Sequence, residues 1–165
     1  MNNINVNYLE KLTSPYDIKN ELNITYEDGL FIQESRNNIN KYLNKNDNLN
    51  NKLVMFVGPC SVHNYDECIE YAKFIKKSIN EYKNLFIVMR LYFEKPRTTK
   101  GWKGYLYDPK LDNSNDIKLG IYNTRKLLIE ITKMKIPIAT EFLDTIIPQY
   151  IDDLITWGCI GARTV

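Results

Sequence analysis

Arg90, Lys95, Arg97 and Arg163 are the side chains of this sequence best suited to hold anionic groups. A guanidinium fork grips carboxylate or phosphate oxygens in pairs, and a lysine ammonium adds a compact charge that can also give up a proton. Between positions 83 and 110 there are seven basic residues (Lys83, Arg90, Lys95, Arg97, Lys100, Lys103, Lys110) and two acidic ones (Glu94, Asp108). The net charge of the whole chain is only +2, so the rest is net negative and the basic charge is concentrated in one stretch. That predicts a local anionic ligand, whereas the near-neutral total gives no reason to expect nucleic acid or a membrane as partner.

Cys60 follows Gly58 and Pro59 and has three readings: a metal ligand, a nucleophile or a small buried hydrophobe. The only histidine is His63. One His with one Cys falls short of the roughly four ligands of a closed metal site, and a Cys-His hydrolase would need an orienting group and an oxyanion hole that the spacing does not specify. Cys68 and Cys159 read as core or strand residues. Three cysteines without a CxxC pair point to a reducing compartment. With no apolar run of about 18 residues, neither a signal peptide nor a transmembrane helix is expected, and the chain reads as cytosolic. The segment Gly101 to Gly104, GWKG, lacks the strand-to-helix context of a phosphate-cradling loop.

The elements that must position these groups follow from the apolar patterning. With 44% apolar and 25% charged residues, 165 residues can bury one core. Residues 1 to 50 form a polar, Asn-rich arm with NNINVN near its start, and Ile32, Ser35, Ile39 and Leu43 predict a helix from about 30 to 45. From Lys52 onward strand and helix alternate. LVMFVG (53 to 58) reads as a strand buried on both faces, and Asn64 with Glu67 as a capping box opening a helix whose Cys68, Ala72, Ile75 and Ile79 face the core. LFIVMRLY (85 to 92) is a second strand, followed by a long loop and a helix with Ile117, Ile121, Leu128 and Ile131 on one side. IPIATEF (136 to 142) is a third strand. Pro148 opens a third helix, with Ile151, Leu154 and Ile155 inward and Gly158 as its stop, and Cys159 to Arg163 begins a fourth strand. This order calls for a parallel sheet with right-handed crossovers, either doubly wound or part of a barrel. In both, chemistry gathers at the carboxyl ends of strands, where Cys60, Arg90, Glu141 and Arg163 fall.

The strings GPCSVH (58 to 63), MRLYFEKPRTTKGWKG (89 to 104), EFLD (141 to 144), PQY (148 to 150) and WGCIGART (157 to 164) resemble, in order and spacing, the feedback-regulated type I class of microbial 3-deoxy-D-arabino-heptulosonate 7-phosphate (DAHP) synthases. The resemblance spans about 52 to 164 and is looser through the arm. It implies an α/β fold, the amino-terminal half of a TIM (β/α)8 barrel comprising about its first four strands, preceded by an N-terminal helical arm. The arm, 1–50, is expected to serve oligomerisation or regulation, and 51–165 to be the partial barrel. A complete barrel needs about 250 residues.

The activity implied is condensation of phosphoenolpyruvate with erythrose 4-phosphate, releasing phosphate, at the entry to the shikimate route to aromatic amino acids. By resemblance Arg90 and Lys95 bind the phosphoenolpyruvate carboxylate, and Arg163 with the backbone N–H of Ala162 clamps its phosphate. Arg97 and Thr98 take the phosphate of erythrose 4-phosphate. Lys95 reaches both substrates as the catalytic proton donor, and Glu141 lines the same mouth. Cys60 is one of four ligands to a divalent metal ion such as Mn or Fe, the other three belonging to later strands of the family's barrel, so the site in this chain is incomplete. Asp144, Pro148 and Gln149 match the pocket for an aromatic amino acid effector, and the intact family forms homo-oligomers. Two other readings are a non-catalytic fragment acting as a binding or assembly module, and the related octulosonate 8-phosphate synthase, against which the KPRTT string counts.

Overall fold

The computed structural model describes residues 10–44, 52–97 and 99–161. Thr98, Ala162 and Arg163, as well as the opening NNINVN, lie outside the described residues. Helices α1 (Pro15–Glu21) and α2 (Tyr26–Leu43) precede strand β1 (Leu53–Val57), helix α3 (Tyr65–Glu81), strand β2 (Leu85–Arg90), helix α4 (Ile117–Lys133) and strand β3 (Ile138–Phe142). A single turn of helix α5 (Pro148–Ile151) runs into a 3₁₀ turn (Asp152–Leu154) before strand β4 (Trp157–Ile160).

The helix starts are set by short polar side chains that satisfy otherwise orphaned N–H groups. Ser14 accepts from Asp17 N at 3.2 Å, Thr25 from Asp28 N at 3.1 Å, Asn64 from Glu67 N at 3.1 Å and Asp116 from Leu119 N at 3.2 Å. Asn64 is the cap expected from the sequence. Glu67 does not complete a reciprocal box, because its carboxylate faces His63 Nε2 at 3.2 Å.

The strands form one parallel sheet in the order β1-β2-β3-β4. Strands adjacent in sequence are therefore adjacent in space, and right-handed crossovers then put every connecting helix on the same face. That separates a barrel segment from a doubly wound sheet. Cys68, Ala72 and Ile75 of α3 and Ile121, Leu128 and Ile131 of α4 are buried with Ile87, Met89 and Ile138 of the strands on this outer face. Arg90 pairs with Ala139, and Ala139 with Trp157, which places these three on the inner face. At the amino end of that face α2 covers the sheet. Ile39 is buried with Val88 and Ala139, and the Tyr42 and Phe86 rings lie 5.3 Å apart.

Four expectations are corrected, and one helix was not expected. β1 is not buried on both faces: Leu53, Met55 and Phe56 are 65%, 37% and 41% exposed, and among the described residues β1 has a sheet neighbour on one side only. The third helix does not extend to Gly158. Thr156 N already donates to Ile138 O at 2.9 Å and Thr156 Oγ1 accepts from Ile138 N at 3.2 Å, so the chain has entered the sheet and Gly158 is a strand residue. The fourth strand begins at Trp157, two residues before the expected Cys159. In the arm, α2 starts at Tyr26 rather than near 30 and α1 was not expected; Pro15 behind the Ser14 cap is its signal.

A buried ion pair ties the arm to the sheet's far side. Arg125, 1% exposed, makes a two-pronged contact with Asp153 at 2.7 and 2.8 Å and donates to Leu22 O and Tyr150 O. Arg36 adds bonds to Ile155 O and Asp152 O. Asp153→Ala strands the guanidinium and is expected to lower stability by about 3 kcal/mol, read as a lower urea midpoint with unchanged slope. A midpoint equal to that of the parent chain would reject this account.

Candidate functional site

The carboxyl edge of the sheet is built around close backbone approach. A Cβ on Gly58 would sit 2.2 Å from Arg90 O, so only glycine lets β1 leave the sheet beside the end of β2. The Gly58-Pro59-Cys60 turn thereby passes directly over Arg90, whose Nη1 donates to Pro59 O at 3.4 Å. The Arg90 guanidinium also lies 4.0 Å from the centre of the Tyr92 ring, a cation–π contact. Among the described residues it has no carboxylate partner within ion-pair distance.

Beyond β2 the loop folds back on itself. Lys95 N donates to Lys103 O at 2.9 Å, Leu106 N to Phe93 O at 3.2 Å, and Arg97 N to Lys95 O at 2.7 Å. Gly104 makes the return, with φ of +109° and an added Cβ at 2.2 Å from Phe93 O, a position barred to other residues on both counts. The loop is pinned from beneath by Glu94, which is 5% exposed. Its Oε1 accepts from Tyr107 OH at 3.2 Å and its Oε2 from Leu143 N at 3.3 Å. Burial holds the Glu94 carboxyl above the usual carboxylate range, the two donors opposing that effect.

Two separate concavities result. A groove of about 330 Å³ on the inner face is lined by Phe56, Arg90, Tyr92, Thr140, Trp157 and Cys159. A larger cavity of about 510 Å³ is lined by Glu94, Lys95, Arg97, Lys103, Leu143 and Asp144, among others. Lys95 connects that cavity to the β1 turn, since its Nζ donates to Cys60 O at 2.8 Å and to Cys60 Sγ at 3.3 Å. The Lys95 ammonium holds the Cys60 thiol below its ordinary pKa, whereas burial pushes the Cys68 thiol up to about 12.

The structure thus gathers Cys60, Lys95 and Arg97 at one edge, with Arg90 in the separate groove. Glu141 pairs with Cys159 in register and lies on the same face as Arg90. Asp144, expected at an effector pocket, lines the same cavity as Lys95 and Arg97. Its Oδ1 accepts from Ile146 N at 2.6 Å and Ile147 N at 3.0 Å, fixing the turn that leads to Pro148 and exposed Gln149. His63 turns to Glu67, and among the described residues no cluster of three His, Cys, Asp or Glu could hold a metal. Sequence reasoning missed Glu94, whose signal was an acid inside a basic run beside the strand end, and it assigned Lys103 to the cluster without giving it a role.

A family model described as DAHP synthetase I family matches residues 36–165. The chain belongs to that family. Against curated relatives it is 43% identical over 157 residues to the Trp-sensitive phospho-2-dehydro-3-deoxyheptonate aldolase of Escherichia coli O157:H7, covering 94% of this chain and 44% of the relative. It is 40% identical over 165 residues to the Tyr-sensitive enzyme of Escherichia coli strain K12, covering 99% and 46%. The solved phospho-2-dehydro-3-deoxyheptonate aldolase of Francisella tularensis SCHU S4 superposes with a TM-score of 0.90 at 42% identity, over 97% of this chain and 46% of that one. The chain spans about half the length of the DAHP synthetase relatives it matches, and its four strands are the first half of their TIM barrel. No helix among the described residues is long and apolar enough to cross a membrane.

The Cys60–Lys95 contact sets a reactivity order. In the presence of a chelator, alkylation of Cys60 by iodoacetamide should show a pH midpoint below that of an ordinary thiol, with Cys68 the least reactive. Because a neighbouring cation favours the thiolate, Lys95→Met should raise the Cys60 midpoint. Peptide mapping across a pH series reads this, and an unmoved midpoint in the variant would refute the assignment.

Proposed function

We propose that this chain provides the substrate-binding half of a DAHP synthase, joining phosphoenolpyruvate to erythrose 4-phosphate with release of phosphate. The observation that carries it is that Arg90 lines one concavity at the carboxyl edge and Lys95 and Arg97 line another, none of the three paired with a carboxylate among the described residues. Two anionic substrates are suited by two cationic recesses, the larger of them carrying a lysine beside the Cys60 turn. Arg90 offers its guanidinium to the carboxylate of phosphoenolpyruvate, and Arg97 to the phosphate of the aldose. Resemblance adds Arg163 and Ala162 N–H for the phosphoenolpyruvate phosphate and Thr98 beside Arg97.

In the reaction C3 of phosphoenolpyruvate bonds to the aldehyde carbon, the aldehyde oxygen gains a proton, water adds at C2 and phosphate departs. Lys95 is positioned to give that proton, since its ammonium reaches the Cys60 turn and the cavity together. The resemblance implies a divalent metal, which when bound polarises the aldehyde oxygen. Cys60 would be one ligand, its thiol already biased toward the thiolate by Lys95. Among the described residues it belongs to no group of three His, Cys, Asp or Glu that could hold a metal ion.

The aromatic amino acid effector and the homo-oligomer belong to the same proposal, with Asp144, Pro148 and Gln149 on the effector side and 1–50 as the arm. The relatives' names, Trp-sensitive and Tyr-sensitive, support such regulation. A second reading, an assembly module without catalysis of its own, draws support from the exposed apolar residues Leu53 on β1 and Ile160 on β4.

The decisive measurement mixes this chain with Mn²⁺, phosphoenolpyruvate and erythrose 4-phosphate, with and without the carboxyl-terminal half of a matched relative. Heptulosonate phosphate is expected only in the complemented mixture, and Lys95→Ala should cut its rate by about 10²-fold or more. Complex formation without product would favour the assembly reading. Turnover of arabinose 5-phosphate in preference to erythrose 4-phosphate would point to the octulosonate activity.

A further inference from the structure

The segment that leads into α4 carries charge that the proposed reaction does not use. Residues 108–116 read DPKLDNSND, three Asp against one Lys, a net charge of −2. The single cation, Lys110, is engaged with Asp116 at 3.0 Å, and Asp116 in turn caps α4 by accepting from Leu119 N. Asp108 and Asp112 have no ion-pair partner among the described residues.

Asp108 is the unusual member. It is 4% exposed, and its Oδ2 accepts from Asn113 N at 3.1 Å, which turns the carboxylate into the loop. Its Oδ1 is buried and makes no hydrogen bond among the described residues. The Asp112 carboxylate lies within hydrogen-bonding reach of the Asp108 side chain. The hydroxyl and N–H of Ser114 hold Asp112 below the ordinary carboxylate range, so at neutral pH it has no proton to give. A buried acceptor on a charged group is costly without a donor, and carboxylates side by side repel. What the pair lacks is positive charge, and the loop's own lysine is turned to Asp116. A hard divalent cation suits the gap: it stands about 2.3–2.6 Å from its oxygen ligands, closer than a hydrogen-bonded water, and takes carboxylates together with carbonyl, amide and water oxygens. Two carboxylates therefore suffice where backbone and amide oxygens are at hand. Asn113, Ser114 and Asn115 follow Asp112 directly in a run that is exposed from 110 to 115, which gives an ion its way in.

We propose that this loop is a site for a hard divalent cation of the size of Ca²⁺, held by the carboxylates of Asp108 and Asp112 and completed by oxygens of residues 113–115 and by water. The site is independent of the proposed reaction and of the thiol at Cys60. Its consequence is local stiffness. Asn115 and Ile117 line the cavity of about 510 Å³, and Trp102 Nε1, in the loop after β2, donates to Asp108 O at 2.9 Å. A bound ion ties these segments together and firms one wall of that cavity.

Trp102 also supplies the means of testing this. Tb³⁺ takes the same oxygen ligands as Ca²⁺ and luminesces when a tryptophan excited close by passes it energy. Titration of the chelator-treated 165-residue chain with Tb³⁺, exciting tryptophan, should give saturable emission that Ca²⁺ displaces and that Trp102→Phe, but not Trp157→Phe, largely removes. Asp112→Asn should weaken Ca²⁺ in that competition roughly tenfold, the scale of one charge-assisted contact, and Asp108→Asn at least as much. Glu34→Gln, which removes the same charge from the exposed face of α2, should change it by less than about twofold. Ca²⁺ should raise the melting temperature of the parent chain and of Glu34→Gln but not that of Asp108→Asn. Emission lost in Trp157→Phe and kept in Trp102→Phe would place the ion elsewhere and overturn the proposal. So would equal losses in Asp112→Asn and Glu34→Gln, or a parent chain that binds neither ion. Matching far-ultraviolet circular dichroism spectra check that the variants are folded, and Asp112→Asn, at an exposed position, decides the matter if Asp108→Asn is not.

Discussion

The register between β2 and β3, in which Arg90 lies beside Ala139, decides which face of the sheet carries charge. Side chains alternate along a strand, so a slip of one residue would turn Arg90 into the apolar layer beneath α3 and α4. The cost of burying an unpaired guanidinium there is several kcal/mol by the general scale for buried ions, which strongly favours the observed pairing. From this one alignment the rest follows. The inner face is apolar at its amino end, where Ile39 and Tyr42 of α2 cover it, and polar at its carboxyl end, where Arg90 and Glu141 emerge. One sheet face thus serves as core at one end and presents charge at the other.

The loop after β2 shows how a site can be held without regular structure. Its two limbs are joined by backbone bonds at Lys95 and Leu106, its return is shaped by Gly104, and its underside is fastened by Glu94 to Tyr107 and Leu143. Glu94 therefore connects the exit of β2 to the exit of β3, one residue from Lys95 and one from Asp144. The basic groups Lys95 and Arg97 sit on a surface whose shape is set by a buried carboxylate.

Much of this was legible in the sequence, for reasons that differ from place to place. The alternation of apolar runs with amphipathic helices is a local pattern, and Asn64, Pro148 and Gly58 mark element ends through local chemistry. Arg90 stood out because a charge inside a buried run demands an explanation. The length of the third helix was misread because the competing interaction, Thr156 with Ile138, joins positions 18 residues apart. Burial of β1 was misjudged because a run of apolar residues says nothing of how many neighbours the strand has. α1 is short and capped but only weakly apolar, with Ile18 alone buried, so periodicity could not reveal it. The shared cavity of Asp144 and Lys95 depends on where two loops meet in space, which no spacing along the chain encodes.

The two sheet edges carry a geometric consequence. β1 and β4 run parallel, with opposite edges free among the described residues. A two-fold axis that brings β1 against β1 of another copy must either reverse the strand direction or turn the sheet over. Only a head-to-tail contact, β4 against β1, keeps both the direction and the inner face. Isologous pairing therefore cannot extend this sheet with its polarity and sidedness intact, and any partner that does so must present a strand edge of the complementary kind.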